Sequence, residues 1–239
     1  MTSRKLIVSG LLAALPLVLA GCSSAGSTPD AGGAAVTTPA AAPTSHLTGT
    51  QLASTLLTAS EIGSGFASNQ SSAVNSGGSL TTAAAKYKPE SLSCTDLMED
   101  VGRPGYGESA MAYDELSNGS SGDELDESVY QFASASEANV VFTSLQAKWN
   151  SCASFTVTTS VTGKVTIAPI SAPSGLGDMA FADTLKVTLP STTMNGSMVY
   201  VLKGADVYCV SPANILGETP SLSAKSLMTQ LMTKVASAG

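Results

Sequence analysis

The feature that most restricts the fold is the density of extended runs between residues 155 and 210. Residues 155–161, 164–167, 181–189, 198–202 and 206–210 are rich in β-branched and aromatic side chains. Turn-forming residues separate them: Thr162-Gly163, a Pro/Ser/Gly stretch at 169–177, Met194-Asn195-Gly196-Ser197 as a hairpin turn, and Gly204. Parallel strands need long crossovers, so short links between successive runs predict antiparallel pairing. Two earlier runs, 110–116 and 128–133, flank the turn Asn118-Gly119-Ser120-Ser121-Gly122 and add to the same sheet.

Helical signals surround these runs. Thr48 and Gln51 fit a capping box ahead of Leu52, Leu56 and Leu57, and residues 59–62 add another turn before Gly63. Residues 67–85 are small and polar and read as a loop. Ser93 caps a short helix carrying Leu97, Met98 and Val101, which Gly102 and Pro104 stop. Ser134 and Glu137 open the longest internal helix, 135–149. Its stripe of Ala138, Val141, Phe142, Leu145 and Trp149 suits packing on a sheet. Thr219-Pro220-Ser221 leads into a last helix with Leu227, Met228, Leu231, Met232 and Val235 on one face. The expected class is α+β: one domain with a mostly antiparallel sheet flanked by amphipathic helices.

The N-terminus reads differently. Arg4 and Lys5 precede an apolar stretch, residues 6–19, too short to span a bilayer comfortably. Leu19-Ala20-Gly21-Cys22 follows, and it resembles the lipobox of bacterial lipoproteins. That resemblance implies cleavage before Cys22 and lipid attachment to it, with residues 1–21 as the signal peptide. Residues 22–46 are small residues, proline and glycine, which predict a disordered tether. The exported domain is then 47–239. The expected location is the extracytoplasmic face of the cell membrane, with several acyl chains making the anchor stable where one would be marginal. Losing Arg4 and Lys5 leaves 9 of the 11 basic residues against 18 acidic ones, so the net charge falls from −7 to −9. Such a chain repels nucleic acid, which is not an expected partner.

Three cysteines remain besides Cys22: Cys94, Cys152 and Cys209. Export permits a disulfide, and spacing alone leaves all three pairings open. Trp149-Asn150-Ser151-Cys152, Leu92-Ser93-Cys94, Asp206-Val207-Tyr208-Cys209 and the opening 56–62 segment together resemble the PknH-like extracellular sensor-domain family. That family also occurs alone in actinobacterial lipoproteins. The resemblance spans about residues 47–236. It implies a central antiparallel sheet with flanking helices, a cleft for an unidentified ligand, and a Cys94–Cys152 bridge. A second family bridge lacks its partner here, because no cysteine lies between Cys152 and Cys209. Cys209 is then a free thiol.

Catalytic signals are sparse. His46, in the tether, is the only histidine, so histidine-based triads and zinc sites have no material in the domain. The acidic run Asp123-Glu124-Leu125-Asp126-Glu127 lacks the glycine-turned calcium-loop spacing and reads as a solvated turn beside a strand. Gly175-Leu176-Gly177-Asp178 lacks a full nucleotide-binding glycine pattern and reads as a turn. Trp149 reads as a core anchor. No cofactor, metal site or catalytic residue is expected. The expected function is a non-catalytic sensor-type module that binds a small or lipid-like ligand and passes any signal to an envelope protein partner. Two alternatives are a lipid carrier, which needs a large apolar cavity, and a carboxylate-only hydrolase, for which no acidic pair stands out.

Overall fold

The computed structural model describes residues 47–69, 74–75, 88–99, 105–158 and 162–238. The signal, the lipobox with Cys22 and the tether lie outside them. The described helices are α1 (Gly49–Ala53), α2 (Ala59–Ile62), α3 (Cys94–Glu99), α4 (Ala135–Ser151) and α5 (Ala224–Ala238). The strands are β1 (Ala67–Ser68), β2 (Val74–Asn75), β3 (Ala110–Asn118), β4 (Asp123–Gln131), β5 (Ser154–Thr158), β6 (Thr162–Ile170), β7 (Met179–Thr188), β8 (Thr193–Lys203) and β9 (Asp206–Asn214). The α+β class holds.

All nine strands join one sheet, in the order β1-β3-β4-β9-β8-β7-β6-β5, with β2 also pairing β3. Every pairing is antiparallel. The chain makes the β3–β4 hairpin, crosses the sheet through α4, and enters the far edge at β5. It then returns strand by strand until β9 pairs with β4 along its full length, from Asp123↔Asn214 to Gln131↔Asp206.

Alternation divides the strands between two faces. Met198, Tyr200 and Leu202 of β8 point toward α4, while Val199 and Val201 point toward α5. The α4 face buries Ala138, Phe142, Leu145 and Trp149 from the helix against Met111, Tyr130, Phe181, Tyr200 and Val207. Phe181 stacks on Tyr200 at 4.7 Å and meets Phe142 edge-on at 5.2 Å. The α5 face is aliphatic: Leu227, Met228, Leu231 and Met232, with Leu52, Leu56 and Leu57, cover Ala112, Leu116, Leu125, Val129, Val199, Val201 and Val210.

Helix starts follow local chemistry. The Thr48 hydroxyl accepts from Gln51 N–H while the Gln51 carboxamide oxygen accepts from Thr48 N–H. Ser93 and Asp96 reciprocate in the same way at α3, and the Ser134 hydroxyl accepts from Glu137 N–H at α4. The α5 start falls later than the sequence indicates, with the Ser223 hydroxyl accepting from Ser226 N–H. Helix α1 stops at Ala53, so Leu56 and Leu57 reach the core from the turn beyond it.

Several boundaries move. Within the expected 67–85 loop, 67–68 and 74–75 pair with β3. Thr162-Gly163 lies inside β6, paired with Thr158 and Val157. Asn195-Gly196 is no hairpin turn: both residues lie in β8, pairing Lys186 and Leu185 on one side and Asn214 and Ala213 on the other. The β7–β8 reversal instead occupies 189–192, closed by Leu189 N–H donating to the Thr192 carbonyl. Pro190 explains the shift, because proline cannot donate to a central ladder. The acidic run is not a solvated turn either. It forms the first half of β4, where Asp123 and Glu127 are buried.

Candidate binding cavity on the α4 face

Strand β4 projects Glu124 and Asp126 onto the α4 face and Glu127 onto the other. Next to the first pair the floor drops. Gly196 of β8 pairs with Ala213 of β9, and Ser211 lies two residues before Ala213. On the flanking strands their paired residues are large: Leu185 beside Gly196, Glu124 beside Ala213 and Asp126 beside Ser211. A methyl group added at Gly196 would already lie 3.3 Å from the Ala213 methyl. The space above them is a partly enclosed cavity of about 140 Å³. Leu185, Val187, Met194 and Met198 form its apolar wall, and Met98 and Trp149 roof it.

The roof is pinned covalently. Cys94 and Cys152 form a disulfide, with Cα atoms 5.7 Å apart. Cys94 begins α3, four residues before Met98, and Cys152 caps α4, three residues after Trp149. The bridge therefore holds together the two helix ends that carry the cavity's cover. Cys209 is free and buried, and burial pushes its thiol up to about 12, so it is protonated and unreactive.

Charge gathers on one side of this cavity. Asp126 accepts a hydrogen bond from the Tyr113 hydroxyl at 2.6 Å, and Glu115 lies opposite it on β3. Burial raises the Asp126 carboxyl above the ordinary range, against the Tyr113 bond and with the repulsion of Glu115. Glu124 is raised by burial first, then by the charges of Glu115 and Asp126. Neither Glu124 nor Asp126 is in an ion pair among the described residues. Glu124 has no hydrogen-bond partner there either. Trp149, which also lines the cavity, is 1% exposed, and its indole N–H has no acceptor among the described residues. Buried donors are nearly always satisfied, so an orphan beside a cavity calls for an accepting atom.

Two carboxyl groups in one cavity meet the first requirement for hydrolysis. They leave the same strand on the same side, two residues apart, and glycoside hydrolysis further needs carboxyl groups that flank the bond. Among the described residues no three ligating side chains converge on a metal-sized point. A larger trough, about 570 Å³, lies on the α5 face between β7–β8 and residues 219–223, wide open to solvent.

The profile of the PknH-like extracellular domain family matches residues 47–234. The chain belongs to that family. Its fold is similar to the crystal structure of the extracellular domain of PknH from Mycobacterium tuberculosis, with a TM-score of 0.57 at 16% identity over 80% of this chain and 97% of that one. An uncharacterized protein from Mycobacterium smegmatis aligns at a TM-score of 0.40 and 12% identity, over 74% of this chain and 92% of that one. No curated protein sequence matches.

Sequence reasoning placed Trp149 on the right helix face but missed the cavity it roofs. It missed Glu124, Asp126 and Gly196 because it read both segments as turns. One signal was present: Leu125 and Val129 flank Glu127 with the period of a strand, which extends β4 back through the acidic run.

Proposed function

We propose that this chain is a lipid-anchored envelope protein whose exported domain is a non-catalytic, sensor-type binding module of the PknH-like extracellular family. The observation that carries the binding reading is the cavity at the end of α4: partly enclosed, disulfide-roofed, and lined by polar groups lacking partners. Sites of this kind combine an apolar wall with a few oriented polar atoms. A cavity near 150 Å³ takes up a benzene-sized molecule, so a small ligand suits this one and a long acyl chain does not. The resemblance of Leu19-Ala20-Gly21-Cys22 to a lipobox supports the anchor, which keeps the domain at the membrane. With the domain on a tether, a signal passes to an envelope protein that reads the liganded state.

The protein contains one tryptophan, so its fluorescence reports the cavity directly. A panel of benzene-sized fragments titrated against the protein is expected to contain members that shift Trp149 emission. An Ala213→Leu variant, which fills the floor, is expected to lose that response while remaining folded. A panel that treats the two proteins alike removes the binding reading. Mass spectrometry of the protein from a bacterial membrane tests the anchor, which predicts acylation at Cys22 and no residues before it.

A further inference from the structure

The cavity's polar groups are unevenly matched. Glu124 and Asp126 crowd one wall, with Glu115 behind them. All three are acceptors when ionised. The Tyr113 hydroxyl is committed to Asp126 and the Asn69 amide to Glu115 at 3.1 Å, while the Ser211 hydroxyl, which also lines the cavity, donates to neither acid. Glu124 has no described donor. The indole of Trp149, which also lines the cavity, carries an N–H donor unused among the described residues. Below lie Met194, Met198, Leu185 and Val187.

We propose that this cavity selects a small organic cation, an ammonium group seated against Glu124 and Asp126 with its apolar body against Trp149 and the two methionines. The inference rests on the binding reading above and names its ligand class. Three arguments carry it. A cation supplies the donors that the carboxylates lack, and charge-assisted hydrogen bonds are the stronger kind. An ammonium beside an indole also gains from the ring's quadrupole. Among the described residues no three ligating groups converge as a metal ion requires, whereas an organic cation can reach one wall with its head and another with its body. Burial keeps both carboxyls above their ordinary range, a cost that a positive charge relieves. The Trp149 N–H adds a preference: a ligand with a hydroxyl or carbonyl oxygen beside its ammonium satisfies both sides.

The test uses three probes of one shape: benzylammonium, benzyl alcohol and benzoate. Each is titrated at neutral pH against the whole exported domain with its disulfide intact, and Trp149 emission is followed. Benzylammonium is expected to bind at least about tenfold more tightly than benzyl alcohol, with benzoate weakest. Glu124→Gln, at a side chain that holds no other described group, is expected to remove most of the ammonium's advantage. Retained binding of benzyl alcohol by that variant shows that the cavity is intact. Asp126→Asn is expected to act in the same direction. Equal binding of ammonium and alcohol, or preference for benzoate through the indole N–H, overturns the cation assignment and leaves the cavity reading standing. No response to any probe also overturns the assignment, and the fragment comparison with Ala213→Leu then judges the cavity separately.

Discussion

The two faces of one sheet are finished in different ways. On the α5 face, leucine, valine and methionine close against one another, and the α1–α2 segment is fastened down by polar bonds. Glu127 accepts from Leu57 N–H at 3.1 Å, and the Lys234 ammonium donates to the Leu56 carbonyl at 2.6 Å and to Glu61 at 2.8 Å. Asp123 accepts from Asn214 and from the backbone of Ser221, tying β4 to the approach to α5. On the α4 face, rigid rings fill the middle, but the fill stops where Gly196, Ser211 and Ala213 replace large side chains. The gap on the α4 face opens because its floor is glycine, serine and alanine, while leucine, valine and methionine still form its walls. Because alternate residues of each strand serve opposite faces, Leu125 and Val210 still pack on the α5 face beside Glu124, Asp126 and Ser211.

The largest expected effect concerns the bridge. Replacing Cys94 and Cys152 by serine frees a loop with a sequence separation of 58 and is expected to cost about 4 kcal/mol in urea unfolding. It should also shift native Trp149 emission toward that of a solvated indole. Loss of stability with unchanged native emission would detach the bridge from the cavity roof. Next, Leu231→Ala, fully buried on the α5 face, is expected to cost about 3 kcal/mol and leave cavity binding unchanged. Altered fragment affinity in that variant would show that the faces are coupled.

The third effect is pH-dependent. Burial pushes the Glu127 carboxyl up to about 8 from its ordinary 4.5. The folded state therefore holds a proton that the unfolded state releases across that window. Stability is fully present below the unfolded value and falls as pH rises toward 8, by at most about 1.4 kcal/mol per pH unit from this group. Glu127→Gln should flatten that slope, and a slope as steep as in the wild type would show that the decline comes from elsewhere. Glu124 and Asp126 contribute in the same direction, but on the α4 face, where a bound cation should suppress their share.

The smallest effect belongs to the strap. Lys234→Met removes two hydrogen bonds and the ion pair with Glu61, for about 1 kcal/mol. The Glu61 carboxyl sits at about 2, held down first by the Lys234 hydrogen bond and then by those from Thr58. NMR titration of the variant should find it higher. An unchanged value would show that Thr58 alone sets it.

What was legible in the sequence was local. Caps at Thr48, Ser93 and Ser134 involve residues three apart, and the α4 stripe recurs within one helix, so each could be read without knowing the rest of the chain. The family resemblance added the Cys94–Cys152 pairing, which spacing left open. What was not legible depended on distant partners. Asp123 to Glu127 looks like a solvated turn until β9 pairs with it from Val210 to Asn214. Asn195-Gly196 looks like a hairpin until strands on both sides claim it and Pro190 takes the reversal. The cavity comes from those same two segments. Its acids and its glycine acquire a role only when long-range pairing brings β4, β9 and β8 side by side and the bridged ends of α3 and α4 close over them. Local chemistry determined which pieces this chain makes. Tertiary pairing decided which face each acid occupies, and with it where a ligand can bind.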